Sequence, residues 1–240
     1  MEGREKKQMD TELGNEDLIN TPASVEKKEK ILAAAERLFG DLGFEAVSTR
    51  LLAKEAGVNM AMLAYYFGSK EKLFRAMIER RTEDGRAKLQ DLLSTGKTPS
   101  EKIDLVIDMY VNKLFDSGRM HALFQREISL LQRTTISELI CQSLTVSLKL
   151  IIKIIKEGQV QGIFRKVDME FTVISMISTI SYVVNSPAMT RLVFNLGEDE
   201  ISTKNELFRK RIKKHLKDMI HKHLEFGIVI PPKETGAQDK

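Results

Sequence analysis

Residues 47–73 read VSTRLLAKEAGVNMAMLAYYFGSKEKL, and three caps divide them into helices. Ser48 can accept a hydrogen bond from an orphan amide of a first turn. Residues 49–56 then carry Leu52, Ala53 and Ala56 along one stripe. Gly57 supplies the left-handed residue that ends a helix most easily. After Val58, Asn59 can cap a second helix over 60–66. Gly68 breaks that helix, and Ser69 caps a third that starts at Lys70. Two short helices joined by a tight turn holding Gly make a helix-turn-helix.

The second helix shows what the unit serves. Leu63 and Phe67 fall on one side, where they can pack on Leu52 and Val58; Ala61, Met62 and Tyr65 fall on the other. That outer side has small and medium side chains, no carboxylate, and two adjacent tyrosines at its end. A helix that enters a DNA major groove needs such a smooth, uncharged face, with hydroxyls near the phosphates.

The stretch resembles the DNA-binding domain of the TetR/AcrR family of bacterial transcriptional regulators. The family pattern is met at Thr49, Ala53, Ala56, Gly57, Val58, Leu63, Tyr66, Phe67, Lys70, Glu71 and Leu73. Leu52 stands for the usual Ile, Asn59 for the usual Ser, and Ala64 for a common Tyr. The resemblance implies a sequence-specific regulator of transcription that binds a double-stranded, palindromic DNA operator as a homodimer and answers to a small-molecule effector, most often as a repressor. It implies phosphate contacts from Thr49, Tyr66 and Lys70, and base contacts from Arg50, Met60, Ala61, Met62 and Tyr65, with Asn59 at the head of the reading helix.

Outward from this core, the expected architecture is all-α. Residues 1–22 are polar and mixed in charge and read as a mobile arm. A first helix from Ser24 to Leu42 presents Ile31, Ala34, Ala35, Leu38, Phe39 and Leu42 on one face. Lys27, Lys28 and Lys30 at its start suit either nearby phosphates or plain solvent. Residues 23–69 form the helix-turn-helix DNA-binding domain. Residues 24–75 hold nine basic and seven acidic side chains, so positioning rather than bulk charge must supply phosphate affinity.

Residues 70–226 are expected to form a helical regulatory and dimerisation domain, with the helix over 70–93 as the link and Gly85 as its easiest bend. Further helices are expected over 101–116 (capped by Ser100), 120–132, 135–157, 168–185 (stopped by Pro187) and 205–226, and residues 227–240 read as a tail. The helices over 168–185 and 205–226 carry broad apolar faces. By the resemblance they pair across a two-fold axis, which puts Ile177, Ile180, Leu216 and Ile220 at the dimer interface. Met109, Tyr110, Phe115, Phe124, Met176 and Tyr182 could line an apolar ligand pocket, or belong to ordinary core.

The 240 residues are 42% hydrophobic and 30% charged, with a formal net charge of +4, which permits a nucleic-acid partner without requiring one. One cysteine, Cys141, excludes an intrachain disulfide framework; it reads as a small buried hydrophobe in a cytoplasmic protein. The start of the chain is charged, with no secretory signal, and no run reaches about 18 apolar residues, so no membrane span is expected. Nucleotide-binding and hydrolase motifs are absent. His121, His215, His221 and His223 have no chelating spacing, and no metal, cofactor or enzymatic activity is expected. Asp104 and Asp108 share a face and read as solvated carboxylates. The alternative is a membrane-surface or nucleic-acid adaptor built on the basic amphipathic helix with Arg209, Lys210, Arg211, Lys213, Lys214 and Lys217.

Overall fold

Caps and glycines at the expected places set the first helices of the chain. The computed structural model describes residues 21–129, 134–197 and 206–226, which are all-α, with no strand among them. In order they hold α1 (Pro22–Leu42), α2 (Thr49–Ala56), α3 (Met60–Phe67), α4 (Lys70–Ser94) and α5 (Pro99–Asp116). Then come α6 (Gly118–Ile128), α7 (Thr135–Val160), α8 (Met169–Asn185), α9 (Pro187–Phe194) and α10 (Glu206–Leu224). The expected arm, tail and C-terminal end of the 120–132 helix lie outside the described residues, save that Thr21 caps α1 and Pro22 begins it. The Thr21 hydroxyl accepts from the Ser24 amide, with Pro22 at the first helical position.

Three features differ from the sequence reading. The cap of α5 is Thr98, not Ser100. Its hydroxyl accepts from the Glu101 amide at 3.3 Å, while the Glu101 carboxylate accepts from the Thr98 amide at 2.8 Å. This reciprocal pair is a capping box with Pro99 at the first helical position. Pro187 does not merely stop α8. It opens α9, which turns 94° from α8. α9 ends at Asn195, in left-handed conformation at φ 52°. Cys141, expected in the core, is exposed on α7.

The described chain forms two compact units. The first takes in α1 to α3, α4 as far as Lys88, and Ser117–Ser147, that is, α6 and the first half of α7. Its centre is a cluster of rings: Phe39 and Phe44 stack at 5.6 Å, and Phe74 meets each of them edge-on at 5.0 Å. Each such pair adds about 0.5–1.5 kcal/mol beyond the area it buries. Leu52, Ala53, Leu63 and Phe67 close the core from α2 and α3, and Met120, Leu123 and Phe124 close it from α6. Arg119 of α6 reaches Asp41 of α1 at 3.3 Å. Hence α4 is not the single segment that continues from the helix-turn-helix. α6 packs in the same core, and α7 also runs from the first unit into the second.

The second unit comprises Leu89–Asp116 and the chain from Leu148 onward. Ile151, Ile154 and Ile155 of α7 sit in its middle, at 0–1% exposure. α5 and α10 run antiparallel and are joined by a ladder of polar pairs. Asp104 meets His221, Asp108 meets Lys217 and Asp116 meets Arg209, each at 2.8 Å. So Asp104 and Asp108 are not simply solvated, and part of the basic face of α10 is neutralised within the chain. The ammonium of Lys102, 2% exposed, donates to both carboxylate oxygens of Glu157 at 3.0 Å and to the Leu93 carbonyl at 3.3 Å. It thereby clasps the ends of α4, α5 and α7 together. The ring of Phe164 lies where a side chain on Gly158 would stand, so only Gly fits at that turn. No single described helix is long and apolar enough to cross a membrane.

Candidate nucleic-acid interface

The turn between α2 and α3 is built by local hydrogen bonds. The Ser48 hydroxyl accepts from the Leu51 amide at 3.1 Å. Gly57 adopts φ 65°, its amide donates to the Lys54 carbonyl, and the Val58 amide donates back to Ala53. This closure leaves Asn59 extended, with its side-chain oxygen accepting from the Met62 amide at 2.7 Å. Leu63 and Phe67, 3% and 6% exposed, then pin the inner side of α3 to the core. Arg37 and Glu55 join α1 to α2 at 3.0 Å.

The outer face of α3 carries no charge. Met60 and Tyr65 are about half exposed, Ala61 and Asn59 are exposed, and Met62 and Tyr66 are half-buried. The rings of Tyr65 and Tyr66 meet edge-on at 5.3 Å. At the start of α2, Arg50 is exposed and Thr49 half-buried.

Lys70 is more constrained than the sequence suggests. Its ammonium donates to the Phe44 carbonyl at 3.1 Å and sits 4.2 Å from the centroid of the Phe44 ring. Phe44 is the residue that sequence reasoning overlooked. It is a buried ring before the Ser48 cap, and its only signal was an aromatic between Gly43 and the apolar Val47 three residues on. Glu71 adds negative charge at the same helix start. Its carboxyl is held below the usual range by the helix-start amide and by the Ser69 hydroxyl.

Four of the six residues expected to line a ligand pocket share the core of the second unit. Phe124 lies in the core of the first unit. Phe115 and Met176 are buried in the core of the second, with Met109 and Tyr110 packed against it. Burial pushes the Tyr110 hydroxyl up to about 12. Tyr182 is 57% exposed. The expected dimer residues lie in or against the chain's own core. Ile180, Leu216 and Ile220 are at most 3% exposed in the chain's own core, because α5, α8 and α10 pack on one another there; Ile177 is half-buried. The apolar side chains that α8 does turn outward are Phe171, Ile174 and Tyr182.

Comparison with known proteins agrees with this geometry. Residues 31–77 match the family described as "Bacterial regulatory proteins, tetR family". Residues 79–209, more than half of the chain, match a second description, "YsiA-like protein, C-terminal region". The chain belongs to the tetR family of bacterial regulatory proteins. It is thus a helix-turn-helix, DNA-binding regulator of transcription. Among relatives of this tetR-family chain, the Probable HTH-type transcriptional regulator YttP of Bacillus subtilis is 29% identical over 140 residues, 57% of this chain and 67% of YttP. The HTH-type transcriptional regulator BetI of Rhizobium meliloti is 33% identical over 81 residues, 34% of this chain and 40% of BetI. The chain therefore spans about two thirds of YttP and well under half of BetI. Two solved structures share the fold. FadR from Bacillus subtilis in complex with stearoyl-CoA has a TM-score of 0.65 at 18% identity, over 81% of this chain and 98% of that one. The fatty acid degradation regulator FadR from Bacillus halodurans has 0.62 at 19%, over 79% and 97%.

Proposed function

We propose that this regulator is a homodimeric repressor that reads a palindromic operator and is released from it by a small molecule. The observation that carries the reading is the uncharged, solvent-facing side of α3, fixed by the Asn59 cap on one end and by Leu63 and Phe67 beneath. In this reading Arg50, Met60, Ala61, Met62 and Tyr65 approach base edges, while Thr49, Tyr66 and Lys70 meet phosphates. The ammonium of Lys70 spends one N–H on Phe44 and keeps the others for a phosphate oxygen. Its place of work is then the cytoplasm, where the operator is.

The second copy covers the outward face of α8 around Ile174 and Tyr182. Two-fold symmetry then presents two α3 helices to two half-sites. A ligand releases DNA only if it binds the DNA-incompetent arrangement better, and coupling of this kind is typically about 1–3 kcal/mol. Both α4 and α7 run from the second unit into the first and can carry the change. Stearoyl-CoA, bound in the Bacillus subtilis structure, belongs in the first ligand screen. The test is selection of bound DNA from a random pool by the full chain. An approximate palindrome bound by a dimer supports the reading. A single asymmetric site bound by a monomer overturns it.

A further inference from the structure

On the proposed reading of α3 as the helix that meets base edges, we infer that it selects its operator through the C5 methyl groups of thymine. The exposed side chains of α3 are Met60, Ala61, Ala64 and Tyr65. At spacings of i, i+1, i+4 and i+5 they lie on one face of the helix. Met60 and Ala64 are neighbours along it, as are Ala61 and Tyr65. Leu63 and Phe67, buried on the other side, fix which face turns outward.

The chemistry of that face limits what it can read. In the major groove guanine shows two acceptors and cytosine an amino donor. Adenine shows an acceptor and an amino donor, and thymine an acceptor beside a methyl group. The amino donors are read by carboxylate or carboxamide oxygens, and guanine by Arg or Lys. Residues Met60–Phe67 contain none of these side chains. Asn59, at the head of α3, has a carboxamide, but its oxygen turns back to the Met62 amide at 2.7 Å as the helix cap. It is therefore not placed to make the two-bond match that Asn offers to adenine.

What α3 presents instead is the stem of Met60, the methyl groups of Ala61 and Ala64, and the ring of Tyr65. Met60 and Tyr65 stand 51% and 53% exposed, so both have apolar surface left to cover. Thymine is the base whose edge carries an apolar group to cover it. The two alanines lie between Met60 and Tyr65 around the helix and end at Cβ, which lets a base methyl approach to contact distance. Burial of one such methyl corresponds to about fourfold in affinity. For the symmetric pair of thymines under a two-fold dimer this becomes about sixteenfold.

The experiment starts from the operator that the full chain selects from a random pool. Each symmetric pair of thymines is replaced by uracil, which lacks the methyl and keeps the hydrogen-bonding edge, and affinity is measured by fluorescence anisotropy at fixed salt. The expected result is a loss of about sixteenfold at one or more pairs. Met60→Ser, at an exposed position, should keep the helical circular dichroism. It should lose the uracil penalty at one pair and retain it at the others. A selected operator without thymine in its half-sites would overturn the methyl readout, as would uracil penalties below about twofold throughout. In that last case, a base preference altered by Met60→Ser would leave α3 as the reading helix and remove only the methyl contacts. If neither uracil nor Met60→Ser changed the profile, the reading of α3 would fall as well.

Discussion

Replacing Lys70 by Met keeps the stem and removes the charge. Two contacts go with it: the hydrogen bond to the Phe44 carbonyl at 3.1 Å and the ammonium over the Phe44 ring at 4.2 Å. A charge-assisted hydrogen bond contributes about 1.5–3 kcal/mol, and a half-exposed position puts this one at the low end. A cation–π contact at such a site adds about 0.5–1 kcal/mol. Part of both is recovered by water, so the expected loss is about 1–2 kcal/mol. Urea titration at fixed protein concentration measures it. The same variant reports on DNA, because one lost phosphate contact reduces the slope of log K against log salt by about 0.9. Unchanged stability would refute the inward role of Lys70. An unchanged slope would remove Lys70 from the phosphate contacts.

Ile174→Glu combined with Tyr182→Glu should give folded monomers by sedimentation, whereas Ile220→Glu, at a 3% exposed position, should unfold the chain; a dimeric double variant would move the interface elsewhere. His121 is pushed down to about 4 by burial, and its Nε2 has no hydrogen-bond partner among the described residues. Between pH 6.5 and about 4 the unfolded state therefore binds a proton that the folded state does not, and stability falls as pH falls through that window. His121→Leu should remove about 2 kcal/mol of that loss at pH 5 relative to pH 7.5, measured by urea titration at both values. Lys102→Met breaks the pair with Glu157 and should cost about 3 kcal/mol, since Glu157 keeps some solvent; thermal denaturation would show a clear fall in midpoint.

The helix-turn-helix was legible because its determinants are local. Ser48, Gly57, Asn59 and Gly68 act on amides within four residues, and their roles in the structure are those that residue type and spacing predict. Thr98 was missed because Ser100 looked like the better cap, although Glu101 three residues after Thr98 carries the capping-box signal. Pro187 was taken as a stop because a proline ends one helix and starts another with equal ease. Long-range packing was not legible. Nothing in 118–147 announces that it joins the core of Phe39 and Phe74. An apolar stripe tells that a face is covered but not by what. Ile180, Leu216 and Ile220 are covered by the chain itself, and the faces left outward are elsewhere. Asp104 and Asp108 found Lys217 and His221 only through the antiparallel register of α5 and α10.

The central claim is that the outer face of α3 reads the base sequence. Its most direct test compares base-by-base affinity profiles of the wild type and Tyr65→Ala on DNA selected from a random pool. Tyr65 is 53% exposed and touches only the neighbouring ring of Tyr66 among the contacts described, so the variant should fold unchanged. The account predicts that preference relaxes at the same position in both half-sites, by about 1–3 kcal/mol at most. A profile identical to the wild type's, or a uniform loss across all sequences, would contradict it.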